Sequence, residues 1–183
     1  MSKEPEVPVY TIQLSAPADV VGERAMQQLS WLEAYPNESA GVSQEWVEEY
    51  VSEWLKPEQI EKSREYLRDV YTDTDQLRLN ATDMDGKIVG FIHASHRVRD
   101  DGGGFVEVDA LYTDPATYGT GLGGQLMRRA LDWASGLGDG GIELEVASYN
   151  ERAIQFYKKY NFEKIDGSGR IFMEKIPTIR MKQ

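Results

Sequence analysis

The sequence predicts an α/β (α+β) fold, a mixed sheet with helices covering it. Three observations carry that prediction. Apolar residues recur at helical spacing between positions 18 and 71, apolar and polar residues alternate between 77 and 113, and glycines crowd a strand-to-helix join near position 121. Taken in order, Val9, Thr11 and Gln13 alternate with Tyr10, Ile12 and Leu14 in a first strand. Helices follow over 18–35, broken by Pro36 and Asn37, and over 43–55, where Ser43 is a candidate cap. A third amphipathic helix over 58–71 carries Ile60, Leu67, Val70 and Tyr71. Trp31, Trp46 and Trp54 read as packing residues on these helices rather than as a ligand cage.

The pattern then changes period. Leu77, Leu79 and Ala81 alternate with Arg78, Asn80 and Thr82, Asp85-Gly86 supplies hairpin chemistry, and 88–94 is a near-continuous apolar strand. A Gly-rich loop over 100–104 leads into a strand over 105–113, which completes an antiparallel meander. A helix from about 121 to 135 places Leu122, Leu126, Ala130 and Trp133 on one stripe and ends at Gly136. Ile142, Leu144 and Val146 mark another strand, 151–160 another helix, and 162–175 a closing hairpin turned at Asp166-Gly167-Ser168-Gly169. Residues 1–8 form a short acidic, Pro-containing lead, and residues 9–183 form one domain, as suits a chain of 183 residues.

Composition removes several classes of chemistry. Without cysteine the chain has no disulfide, thiolate metal site or cysteine nucleophile, and with two histidines no multi-His metal site is expected. A formal net charge of −11 disfavours a nucleic-acid or anionic-lipid partner. A cationic partner fits it, although a surface kept soluble by its carboxylates is the simpler reading. No apolar stretch approaches the ~20 residues of a membrane span, and MSKEPEVPVY has no basic-then-apolar signal pattern. A cytoplasmic, soluble protein without a membrane partner is the expectation.

The strongest feature is the join VEVDALYTDPATYGTGLGGQLMRRAL. Gly119, Gly121, Gly123 and Gly124 stand at the start of a helix, where unpaired N–H groups and the positive end of the dipole favour a phosphate. A turn that requires positive φ explains glycines there equally well. Gly119, Gly121 and Gly124 also satisfy G-x-G-x-x-G, but 114–118 separates them from their strand and too little chain follows for a dinucleotide-binding sheet. No Gly-Lys-Ser/Thr follows them, so a P-loop is absent.

From Phe105 to Phe162 the chain resembles the GNAT superfamily of acetyl-CoA-dependent N-acyltransferases. The resemblance rests on the strand ending LYTDP, on Tyr118-Gly119-Thr120-Gly121-Leu122-Gly123 against the pyrophosphate loop Q/R-x-x-G-x-G/A, and on NERAIQFYKKYNF against N-x-x-A-x-x-F-Y-x-x-x-G-F. Tyr118 occupies a position usually held by Arg or Gln, and Asn161 replaces the glycine before Phe162. Arg128 and Arg129 stand nearby and read first as solvated helix residues. The resemblance implies a mostly antiparallel sheet with a splayed parallel strand pair, acetyl-CoA as co-substrate held by the loop through Gly124, and a contact from Asn150, which an N-cap explains equally well. It also implies that backbone groups of Leu111, Tyr112 and Thr113 line the gap that receives the pantetheine. A homodimer is compatible with it.

Acyl transfer to an amine requires an unprotonated nitrogen, a carbonyl held for attack and a proton for the departing thiolate. Glu107 and Asp109 share one strand face opposite Val106, Val108 and Ala110, and a β-bulge near Ala110 to Leu111 would re-aim the strand end. The resemblance places a general base at Glu107 and the proton donor at Tyr157. A charged outward strand face and a buried aromatic stripe with Ala153, Phe156 and Tyr160 are the structural explanations of the same residues. His93 and His96 read as strand residues. Acidic residues near the cleft, such as Glu107, Asp109 and Glu145, suit a small cationic amine or polyamine, and peptide N-termini stay open. The function expected is direct acetyl transfer to a primary amine; the runner-up is a non-catalytic acyl-CoA-binding regulatory module.

Overall fold

In the computed structural model, which describes residues 9–138 and 140–183, the alternation read above becomes register. The lead expected over 1–8 lies outside the described residues. Strand β1 (Thr11–Leu14) pairs antiparallel with β2 (Gln76–Thr82), reached through α1 (Val20–Ala34), α2 (Gln44–Ser52) and α3 (Pro57–Thr72). The Ser43 hydroxyl accepts from the Trp46 N–H (3.2 Å) and starts α2, and Pro57 occupies the first turn of α3, where a missing N–H is harmless. Strands β3 (Ile88–Val98) and β4 (Gly104–Thr113) extend the antiparallel meander. Helix α4 (Leu122–Leu137) then crosses to β5 (Ile142–Ala147), which runs parallel to β4. Gly136 lies inside α4, and the left-handed residue that ends the helix is Gly138 (φ 72°).

After α5 (Glu151–Lys158) come β6 (Glu163–Lys164), β7 (Arg170–Phe172) and β8 (Ile176–Lys182). The sheet order is β1-β2-β3-β4-β5-β8-β6, with β7 also on β8. This corrects the closing hairpin: β6 and β7 do not pair with each other but share the outer edge of β8, which the sequence reading missed. The tight turn is at Met173 and Glu174, both left-handed (φ 52° and 58°), with the Lys175 N–H donating to the Phe172 carbonyl (3.1 Å). Pro177 inside β8 had hidden the strand, because proline normally argues against one.

The sheet buries two faces. Val106, Val108, Leu126, Met127 and Phe162 pack beneath α4 and α5, while Trp31, Val42, Val47, Val51 and Ile176 form the core under α1 and α2. Trp46 and Trp54 pack against that second cluster, and Trp31 lies 5.0 Å from Trp54 and 4.1 Å from Tyr35 between ring centroids, so the tryptophans are packing residues as read. A buried ion pair ties α1 to β2. Arg78 donates to Glu23 (2.7 Å) and lies over the Phe91 ring (4.4 Å), with the Glu23 side chain 2% exposed.

The expected bulge is present one residue early. His93 pairs with Ala110 and Ala94 with Val108, which leaves Asp109 as the extra residue. Its carboxylate accepts from Ser95 (2.7 Å) and Arg97 (2.8 Å), and these bonds hold it on the same face as Ala110. Leu111 consequently returns to the apolar side with Val108. Removing one member of a buried pair strands its partner's charge, so Arg78→Met should lower unfolding free energy by about 3–5 kcal/mol in urea titrations, whereas the double change with Glu23→Leu should recover most of it.

Candidate active site

The site begins where β4 and β5 part. Their parallel ladder holds for Val106–Ile142, Glu107–Glu143 and Val108–Leu144 and no further. Beyond it, Leu111, Tyr112 and Thr113 face an open gap. A cavity of about 770 Å³ occupies that gap, running from Gly119, Gly121, Leu122, Gly123 and Gly124 past Asn150 and Tyr157 to Tyr35, Glu145 and Ala147. A volume of this order suits a large small-molecule ligand.

Glycines at the loop answer to different constraints. Gly119 and Gly121 are left-handed (φ 80° and 87°), and a Cβ at either would meet nothing within 4 Å, so both give open space as well as the turn. A Cβ at Gly124 would stand 2.5 Å from the Tyr160 hydroxyl, which makes this glycine a packing residue of α4 against the turn that follows α5. No side chain caps the first turn of α4, and Gln125 is the first N–H to bond back, to the Gly121 carbonyl (3.0 Å). The N–H groups before it are left to the cavity end. Asp114 braces the approach: its carboxylate accepts from the Ala116 N–H (3.0 Å) and from Lys87 (2.7 Å). Burial works against its charge, but these bonds outweigh it and hold its pKa below the usual carboxylate value.

All but two of the residues expected at the site line the cavity. Thr120 does not; its hydroxyl donates to the Thr117 carbonyl (2.7 Å) and accepts from Tyr10 (3.0 Å), a bond that braces the loop. Glu107 does not either, since its carboxylate lies between Arg180 (3.1 Å) and Arg97 (3.5 Å) on the sheet surface. Glu145 is the carboxylate that lines the cavity, bound by Arg170 and Thr178. Burial works to raise its pKa, and the hydrogen bonds from Arg170 and Thr178 override that and hold it low. Asn150 serves its capping role, its side-chain oxygen accepting from the Ala153 N–H (3.1 Å), while lining the cavity. His93 is a buried strand residue, its pKa pushed down to about 4 by burial and then by Arg78.

The tyrosines concentrate where the strands splay. Burial, reinforced by Tyr112, pushes the Tyr157 phenol well above its ordinary pKa, and the same cause raises Tyr112 and Tyr35. The Tyr35 and Tyr112 hydroxyls are 3.2 Å apart, and Tyr149, raised to about 12 by burial, donates to the Tyr35 carbonyl (2.7 Å). Neutral phenols in a partly closed cavity are proton donors rather than bases. Sequence reasoning missed Tyr149, Arg152 and Lys159 as neighbours of the site; the approach of Tyr149 to the end of α1 and the turn of α5 bring them there.

Among the described residues no helix is long and apolar enough to cross a membrane, and no group of three His, Cys, Asp or Glu is placed to hold a metal ion. Residues 42–162 match the model of the Acetyltransferase (GNAT) family. The N-alpha-acetyltransferase RimI of Mycobacterium tuberculosis is 37% identical over 59 residues, 32% of this chain and 35% of that protein. Across the curated relatives the matched stretches span 16% to 35% of their lengths. In fold, the chain is similar to the PaiA N-acetyltransferase of Thermoplasma acidophilum, solved in complex with coenzyme A (TM-score 0.72, 21% identity, 96% of this chain and 99% of that one). It is likewise similar to a GNAT acetyltransferase of Streptococcus pneumoniae (TM-score 0.70, 19% identity, 96% and 98%).

Gly121, which precedes α4, and Gly123, inside its first turn, should respond oppositely to alanine. Gly121→Ala forces a side chain into a left-handed backbone and should destabilise by about 1–2 kcal/mol. Gly123→Ala meets only the Phe156 ring at 3.6 Å and should gain roughly 0.5–1 kcal/mol of helix propensity. Chemical denaturation of the two variants measures both.

Proposed function

We propose, from the premise that the chain belongs to the GNAT acetyltransferase family, that residues 9–183 catalyse direct transfer of an acetyl group from acetyl-CoA to a primary amine. One observation carries the reading: a single cavity joins the glycine cradle, the gap between β4 and β5, and the Tyr157 hydroxyl's surroundings to an acceptor end at Tyr35 and Glu145. The residues present fit coenzyme A. Open space before Gly119 and Gly121 and uncapped N–H groups of α4 suit a diphosphate, and the narrow parted strands suit an extended arm.

Acetyl-CoA supplies an activated thioester. The chain's own residues do the rest. Leu111, Tyr112 and Thr113 stay paired with β3, and the splay leaves the backbone groups of this stretch that point toward β5 free to hold the arm and to polarise its carbonyl. Tyr157, kept neutral by burial, hydrogen-bonds the departing sulfur and hands it a proton as the attacking nitrogen gives one up to restore the phenol, so CoA leaves as the thiol. Glu145, the carboxylate at the cavity, draws the ammonium and orients it, and bound water relays its proton outward. Glu107, held as a carboxylate by Arg180 and Arg97, is assigned to take up that proton at the outer end of the water chain. No covalent enzyme intermediate is invoked, because the chain contains no cysteine.

The acceptor is proposed to be a small amine that is cationic in solution. The net charge of −11 supports attraction of such a molecule. Each carboxylate near the cleft already has an arginine partner, which favours one ammonium inserted into the cavity over several anchored around it.

Four measurements test this reading. CoA should raise the melting temperature and NAD should not; equal behaviour with both sinks the assignment. Gly123→Ala, although stably folded, should bind CoA more weakly, because its methyl group enters the cradle. Tyr157→Phe should lower kcat by about 10²-fold with CoA affinity within about twofold of wild type, measured by thiol release across an amine panel. Because the phenol holds its proton to higher pH than the ordinary value of about 10, the wild-type rate should show no alkaline decline below pH ~10 from this residue.

A further inference from the structure

The pyrophosphate loop of this chain opens with Tyr118, where the family pattern usually has Arg or Gln, so the loop itself brings no cation to its ligand. The geometry points to Arg152 as the group that supplies it: a guanidinium from the first turn of α5, seated on the Tyr118 ring, that binds the diphosphate held by the glycine cradle. This inference rests on the reading of the cavity as a coenzyme A site. Four observations support it.

Arg152 Cζ lies 3.5 Å from the centroid of the Tyr118 ring, and both residues line the cavity beside Gly119 and Gly121. A planar guanidinium laid over an aromatic face keeps its edge N–H groups available, and those N–H groups match two phosphate oxygens at once. The Tyr118 hydroxyl is buried without a hydrogen-bond partner, so this tyrosine contributes a ring face and not a polar tip. Finally, Arg152 stands at the positive end of α5, where a cation is disfavoured, and among the described residues no carboxylate lies within 4.0 Å of it. A cation placed against a helix dipole, and left without an internal anion, is answered by one from outside. Arg128 and Lys159 line the same end of the cavity but have no such platform.

Calorimetric titration with CoA and with 3′-dephospho-CoA tests the assignment. Arg152 is exposed, so its replacement leaves the fold intact. Arg152→Ala should weaken both ligands equally, by about tenfold, as loss of a charge-assisted contact to the shared diphosphate requires. Tyr118→Leu should produce the same loss by removing the platform, the double variant should lose no more than either, and Tyr118→Phe should keep wild-type affinity. Unchanged affinity in Arg152→Ala, a loss confined to CoA and absent with 3′-dephospho-CoA, or fully additive losses in the double variant would each overturn the proposal. Wild-type protein that binds neither ligand would bring down the coenzyme reading as well, whereas wild-type binding without an Arg152 effect brings down this inference alone.

Discussion

Everything at the site depends on the short parallel ladder between β4 and β5. Three residue pairs hold the strands together, and past Val108 and Leu144 they separate. The extra residue at Asp109 sits at that point, tied to Ser95 and Arg97, so the strand bends where its partner leaves it. A sheet normally closes its own backbone groups into ladders. Here the fold leaves one stretch open in its middle, with a core of Val106, Met127 and Phe162 packed on one face and the Trp31 cluster on the other.

Charge is distributed around that opening in a way that net charge alone conceals. The chain is strongly acidic, yet Glu107, Asp109 and Glu143 are each paired with arginine on the sheet surface, Glu145 is paired with Arg170 at the cavity, and the glycine end of the cavity is lined by Arg128, Arg152 and Lys159. The acidic excess therefore lies elsewhere on the surface, and the cavity has a cationic end and a tyrosine-rich end. Such a polarity suits a long ligand that is anionic at one terminus and reactive at the other.

Much of this was legible in the sequence, for identifiable reasons. Period-2 and period-3.6 patterns are local, so β2 to β5 and all five helices could be placed from neighbours a few residues apart. The glycine loop and the segment from Asn150 to Phe162 were legible because backbone conformation and helix capping constrain residue type directly. What escaped was non-local or disguised. Pro177 concealed β8, and the left-handed pair Met173 and Glu174 turned the chain without the glycine that such a turn usually announces. Glu107 looked like a cavity residue because alternation gives a face and not a neighbour; Arg180, 73 positions away, decides where its carboxylate rests. Arg152 and Tyr118 carry no sign of their contact, since 34 positions, a helix and a strand separate them.

The close approach of Tyr160 to Gly124 has an evolutionary consequence. There, between α4 and the turn that follows α5, a hydroxyl fills the space where a methyl group would stand. Sequence drift at either position is therefore conditional on the other: a lineage that acquires a larger residue at 124 must first shorten or turn aside the ring at 160. Gly119 and Gly121, whose surroundings are empty, carry no such pairwise bond and answer to backbone handedness alone. Adjacent glycines in one loop would thus leave different covariation signatures among descendants of this chain, one correlated with a distant aromatic position and the others solitary.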